Sequence, residues 1–179
     1  MNSRKKTLEN LKNRRPTQIC KTIELKIDQS FLNKKEKEAL KMMFVEAKWC
    51  YNHILGSGIN PFEFDYKTLQ TIKVKTLSGF EDREIKFLSE RNKQDILFKM
   101  KKTIVLLSKL KKLGHRVGHL RFKNEIKYIM LYEYGKGRLN GTHKIVGKNR
   151  VKINKIKRPL KVSGLDQIPP HVEFGFATL

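Results

Sequence analysis

The hydrophobic pattern of this chain changes its period at Gly114. Before that residue, apolar side chains recur at helical spacing in two long runs. After it, they alternate in short segments broken by glycine. A repeat of about 3.6 residues buries one stripe of a helix, whereas a repeat of two buries one face of a strand. One chain carrying both periods in separate blocks is expected to fold as α+β.

The first helical run, KKEKEALKMMFVEAKWCYNHIL, puts Leu40, Met43, Phe44, Ala47, Cys50, Tyr51, Ile54 and Leu55 on one stripe. Asn33 with Glu36 three residues on is a start signal, and Gly56 and Gly58 are stop signals. A second helix is expected over about 89–113, capped by Ser89. It carries Ile96, Leu97, Met100, Ile104, Leu107 and Leu110 inward, with Arg91, Lys93, Lys99, Lys101, Lys102, Lys109, Lys111 and Lys112 outward. Between the helices, DYKTLQTIKVKTL is ambiguous in type.

The segment ICKTIELKID alternates ahead of the helices, and LRFKNEIKYIMLYEY, GKGRLNG, THKIVG, KNRVKINKIKRPLKV and HVEFGFATL follow them as short strands. A strand, a helical block, then more strands suggests a small, OB-like antiparallel β-barrel with helices inserted after its first strand. The expected division is a basic arm over 1–17, a barrel from 18–32 and 114–179, and a helical domain over 33–113.

Charge restricts the partner. The net charge is +23, from 40 Lys and Arg against 17 Asp and Glu, and such a chain repels itself unless a polyanion neutralises it. Residues 114–163 alone hold 14 basic and two acidic residues, which marks them as the expected main footprint. No apolar run approaches the roughly 18–20 residues that span a bilayer, and no signal peptide or lipidation motif is present. Nucleic acid is therefore expected rather than a membrane. Two cysteines without a CxxC and five scattered histidines suit a reducing cytoplasm better than a disulfide framework or a zinc site.

Catalytic signals are missing. A two-metal nuclease needs converging carboxylates, and only Glu63/Asp65 and Glu81/Asp82/Glu84 cluster; loop solvation and capping are the commoner uses of such residues. There is no phosphate-binding glycine loop or nucleophile elbow. Basic residues instead interleave with rings: Arg121, Phe122, Lys123, Lys127, Tyr128, Tyr132, Tyr134, Lys136 and Arg138, followed by Lys148, Arg150 and Lys152. Cations neutralise phosphates, and rings stack on unpaired bases. In the alternative reading, Phe122, Tyr128 and Ile129 are core and the lysines a solvated face.

Six segments taken in order resemble the N-terminal half of the TnpB family, insertion-sequence-encoded RNA-guided nucleases related to the small type V CRISPR effectors. They are KTIELKID, FVEAKWCYNHIL with its Tyr51-Asn52 pair, DYKTLQ, SERNKQDIL, KLGHRVGHLRFK and GLDQIP. Leu120 stands where the family often has proline. The resemblance implies a barrel-like wedge domain split by a helical recognition domain. Together these would grip guide RNA and the short motif flanking the double-stranded DNA target, base pairing reading the rest. It implies that Tyr66, Gln94 and Tyr132 touch the flanking motif, and that Arg121 and Lys123 lie near the nucleic-acid backbone. Magnesium and zinc are expected only in a later RuvC domain and its inserted zinc-binding segment. Neither is expected in these residues, since no Asp-x-Gly strand is present and Asp166 is followed by Gln-Ile-Pro-Pro. A truncated form, a split gene product and a remnant stay open, as does a stand-alone regulatory or structural protein that binds RNA or DNA.

Overall fold

The computed structural model describes residues 21–132, 141–169 and 177–179. The expected basic arm over 1–17 lies outside them. Two 23-residue helices, α1 (Lys34–Gly56) and α2 (Glu90–Lys112), pack together and contribute to a core that the strands and connecting segments complete. Both begin where local chemistry dictates. The Asn33 side chain accepts from the Glu36 N–H at 2.8 Å, and the Glu36 carboxylate accepts from the Asn33 N–H at 3.1 Å. This reciprocal box satisfies donors that a helix start otherwise leaves bare. Ser89 caps α2 in the same manner, accepting from the Asn92 N–H.

The stretch of open type between the helices is a 3-10 turn, Tyr66–Thr68, followed by an antiparallel hairpin of β2 (Thr71–Thr76) and β3 (Gly79–Glu84). The interval 33–113 is thus helical with a hairpin inside it. Ile72 and Val74 of β2 point into the core, while Lys73 pairs across the ladder with Asp82.

Downstream, β1 (Lys26–Ile27), β7 (Leu160–Ser163), β6 (Arg150–Ile153) and β5 (His143–Ile145) make a four-stranded antiparallel sheet in that order. A second pair joins β4 (Met130–Leu131) to β8 (Ala177–Thr178). The α+β class expected from the two periods is the observed one. Among the described residues no sheet closes on itself. One apolar core runs from Met43, Cys50 and Ile54 of α1 through Leu97 and Met100 of α2 to Val151, Ile153 and Leu160 of the sheet.

The strands are shorter than their alternation implies. Within the described parts of ICKTIELKID and LRFKNEIKYIMLYEY, the strands are only Lys26–Ile27 and Met130–Leu131. Alternation shapes an extended chain, but a strand also needs a neighbouring backbone, and among the described residues none pairs as a strand with residues 116–128. Gly164 ends β7 with a φ of 98°; a Cβ there would stand 3.0 Å from the Glu24 carbonyl oxygen, so only glycine fits that approach.

A carboxylate organises the helical half. Glu46 lies among the buried residues Met43, Ala47 and Cys50 on α1. It accepts the backbone N–H groups of Lys86, Phe87 and Leu88 at 2.9, 2.8 and 2.9 Å. These three donors sit in the link from β3 to α2, so one side chain fixes where the strand gives way to the helix. A buried donor left without an acceptor costs about 1–3 kcal/mol. Glu46→Ala is therefore expected to lower unfolding stability by about 2–4 kcal/mol in urea titration, with Glu46→Gln less damaging. A loss below about 0.5 kcal/mol for the alanine variant would remove this role.

A second carboxylate joins helix to sheet. Buried Glu36 accepts from Arg158 Nε at 2.6 Å and from its NH2 nitrogen at 3.1 Å. The Arg158 hydrogen bond, then the Asn33 N–H, hold the Glu36 carboxyl below its ordinary value against the opposing effect of burial. A depressed folded-state value means this contribution is full above the unfolded value of about 4.3 and fades as pH falls through the folded one. Glu36→Gln should lose less stability than the parent chain on acidification below that value, measured as urea midpoints. Parallel pH profiles would contradict the assignment.

Candidate nucleic-acid interface

The first turns of α2 form one side of the candidate site. Buried Asn92 donates to the Met130 carbonyl at 2.8 Å, drawing β4 against the helix. The next residue but one, Tyr132, is then held by its backbone. Its N–H donates to Thr142 Oγ1 at 2.8 Å, and its carbonyl accepts from the Thr142 and His143 N–H groups.

The Tyr132 side chain falls across α2. Its hydroxyl donates to Asp95 Oδ1 at 2.6 Å, and the Arg91 guanidinium lies 4.3 Å from its ring centroid. Arg91 also donates to Gln94 Oε1 at 3.0 Å. The other Asp95 oxygen meets Lys99 Nζ at 3.0 Å, and that ammonium stands 4.6 Å from the Tyr128 ring centroid. Gln94 in turn shares a cleft of about 360 Å³ with Tyr66, Phe64, Phe98 and Lys101. Tyr66, Arg91, Gln94 and Tyr132, drawn from three separate segments, therefore meet on one face. The cleft has aromatic walls, an amide at its side, Lys101 at its edge and the carboxylates Glu63 and Asp65 in its lining, with room for a flat heteroaromatic ring that has hydrogen-bond donors to offer.

The segment Gly118–Lys123 forms a second group. It runs over the end of α1, where the Asn52 side chain clasps the backbone of Lys123. Asn52 Nδ2 donates to the Lys123 carbonyl at 2.9 Å, and Asn52 Oδ1 accepts from its N–H at 2.8 Å. One amide thus supplies the pairing that a neighbouring strand would otherwise give. The Lys123 ammonium lies 4.5 Å from the Tyr51 ring centroid. Arg121 and Phe122 are exposed.

The remaining nominated residues are dispersed. Lys127 and Arg150 are exposed, and their side chains make no ion pair among the described residues. Lys152 is engaged in structure: its ammonium donates to the Ile156 carbonyl at 2.7 Å and also to that of Lys157, closing the turn between β6 and β7. Lys136 and Arg138 lie outside the described residues.

Lys93 corrects the expected outer face of α2. It is 3% exposed, with its ammonium 2.9 Å from Glu90. Its position explains this: residues 93, 97, 100 and 104 follow helical spacing, so Lys93 prolongs the inward stripe. The acidic clusters have other partners. Asp65 accepts from the Lys67 N–H, Glu81 from Thr76, Ser78 and Arg83, and Glu84 pairs with Lys86. Among the described residues, no group of three or more His, Cys, Asp or Glu side chains is placed to hold a metal ion. No helix there is long and apolar enough to cross a membrane.

Asn52, Asp95 and Thr142 were not nominated from sequence, yet each sets a candidate residue in place. Only Asn52 had a signal, its pairing with Tyr51 in a helix-end motif.

Burial first, then the hydrogen bond and charge of Asp95, push the Tyr132 phenol up from its ordinary value, outweighing Arg91. A raised folded-state value favours the neutral ring below the unfolded value of about 10, and that contribution is lost as pH rises through the folded one. In an alkaline absorbance titration, the tyrosinate component missing from Tyr132→Phe should titrate above about 10; a missing component at or below that value would break the Asp95 assignment.

Compared with protein-family models, with curated proteins and with solved structures, the chain returns no match.

Proposed function

We infer that this chain binds nucleic acid, as the RNA- and DNA-binding region of a TnpB-like RNA-guided nuclease whose cutting is done by a RuvC domain outside these residues. One observation carries the reading: Tyr66, Arg91, Gln94 and Tyr132 meet on one face of a chain with a net charge of +23. A core function alone would not require a guanidinium over a tyrosine beside an open, ring-sized cleft.

In this reading the cleft beside Gln94 meets the edge of the flanking DNA motif, and guide RNA runs along the basic residues of 114–163. The amide of Gln94 suits a base edge, since it offers a donor and an acceptor together. The hydrogen bond from Arg91 uses one lone pair of its oxygen, which orients the amide and leaves the second lone pair and the NH2 group for a ligand. The short sheets belong to a barrel-like wedge. Supporting this, Tyr132 links the β4–β8 pair to β5 through Thr142, and Ile129 exchanges two backbone hydrogen bonds with Leu179. Magnesium and zinc would belong to the cutting domain.

Binding to structured RNA should weaken steeply between about 50 and 200 mM salt, because each neutralised phosphate releases counterions. The double variant Arg121→Ala, Lys123→Ala should weaken binding to all sequences alike and reduce the salt slope by about two. Folding is not the issue in that variant, since Asn52 grips the Lys123 backbone and not its side chain. Tight binding insensitive to salt would contradict the reading; an unchanged slope in the variant would take these two residues out of the interface.

A further inference from the structure

Tyr132, Tyr128, Tyr51, Phe98 and Phe31 each lie under a cation of the chain itself: Arg91, Lys99, Lys123, Lys102 and Lys161, at 3.8–4.6 Å from the ring centroid. Among the described residues two strongly exposed rings, Phe80 and Phe122, have no cation of the chain over them. Phe80 is followed by Glu81 and Asp82, which disfavour an anionic ligand, whereas Phe122, 66% open to solvent, stands between Arg121 and Lys123.

Its mounting is nevertheless fixed. The Asn52 amide holds the backbone of the next residue by two hydrogen bonds. The edge of the ring rests over Gly56, where a Cβ would stand 3.6 Å from Phe122 Cε1 and 3.8 Å from Cζ. Those are ordinary van der Waals distances, so the ring lies directly against the end of α1. Its neighbours in sequence are Arg121 and Lys123, both exposed. A single exposed apolar side chain is common on protein surfaces; what marks this ring is its fixed backbone and the cation on either side of it, a setting that suits a flat, anionic partner.

Resting on the nucleic-acid reading above, we propose that Phe122 is a stacking platform for an unpaired base, with Asn52 as its positioning residue. The flanking cations would take the phosphates on either side of that base. Stacking on an aromatic ring tolerates any base, because every base has a π-face. The site therefore recognises strand openness and not sequence, and suits a junction where guide or target leaves its duplex.

The test compares a base-bearing single strand of uridines with a fully abasic strand of equal length and charge, each titrated against the full chain by fluorescence anisotropy. The parent chain should bind the base-bearing strand about tenfold more tightly. Phe122→Leu should bring that ratio close to one while leaving the abasic affinity unchanged, and Phe122→Trp should keep it. Asn52→Ala should lower the ratio in the same selective way, which a general loss of fold would not do, since that weakens both strands. A parent ratio near one, or a ratio in Phe122→Leu equal to the parent's, would overturn the stacking role while leaving backbone binding intact. Failure of the parent chain to bind either strand would overturn both this inference and the reading on which it rests.

Discussion

The described structure depends on a carboxylate placed inside an apolar stripe. Glu46 sits where a leucine would be unremarkable, and it accepts three consecutive N–H groups from residues 86–88. These donors belong to a link with no ladder of its own, and buried backbone donors must be satisfied somewhere. Gathering them on one side chain fixes the start of α2 relative to α1. Every candidate residue on α2, from Arg91 to Lys99, inherits its position from that junction. The Glu36–Arg158 pair does the corresponding work between α1 and the sheet.

On this frame, cations and rings are paired with each other. A guanidinium or ammonium over an exposed ring gains about 0.5–1 kcal/mol, too little to account for a fold but enough to hold a long side chain in one orientation. Arg91 between Tyr132 and Gln94 shows the consequence: its charge stays at the surface while its geometry is fixed. Asp95 adds to this by bridging Tyr132 and Lys99. Preorganised cations lose less side-chain freedom when a phosphate arrives.

The helices were legible because spacing and caps agreed. Asn33 with Glu36, and Ser89 with Asn92, sit at the starts that the sequence marks. The strands were less so, because alternation reports an extended backbone and says nothing of whether a partner lies beside it. The Gly118–Lys123 segment is the instructive case: it alternates, yet an asparagine amide from residue 52 takes the partner strand's place. Lys93 and Glu46 escaped for a common reason. Each is polar at an inward position of a helical stripe, and residue type outweighed position in the reading. A polar residue on an apolar stripe is better taken as a sign of a buried hydrogen-bonded role. The meeting of Tyr66, Arg91, Gln94 and Tyr132 could not be read from spacing, since periodicity carries no information about contacts between distant segments.

Photo-crosslinking of the chain to a structured RNA, with the attachment sites located by mass spectrometry, addresses the central claim most directly. If the α2 face and the end of α1 cradle nucleic acid, attachments should concentrate at Tyr66, Phe122, Tyr128 and Tyr132. Attachments spread evenly over the surface, or confined to the nearly neutral β2–β3 hairpin, would contradict it.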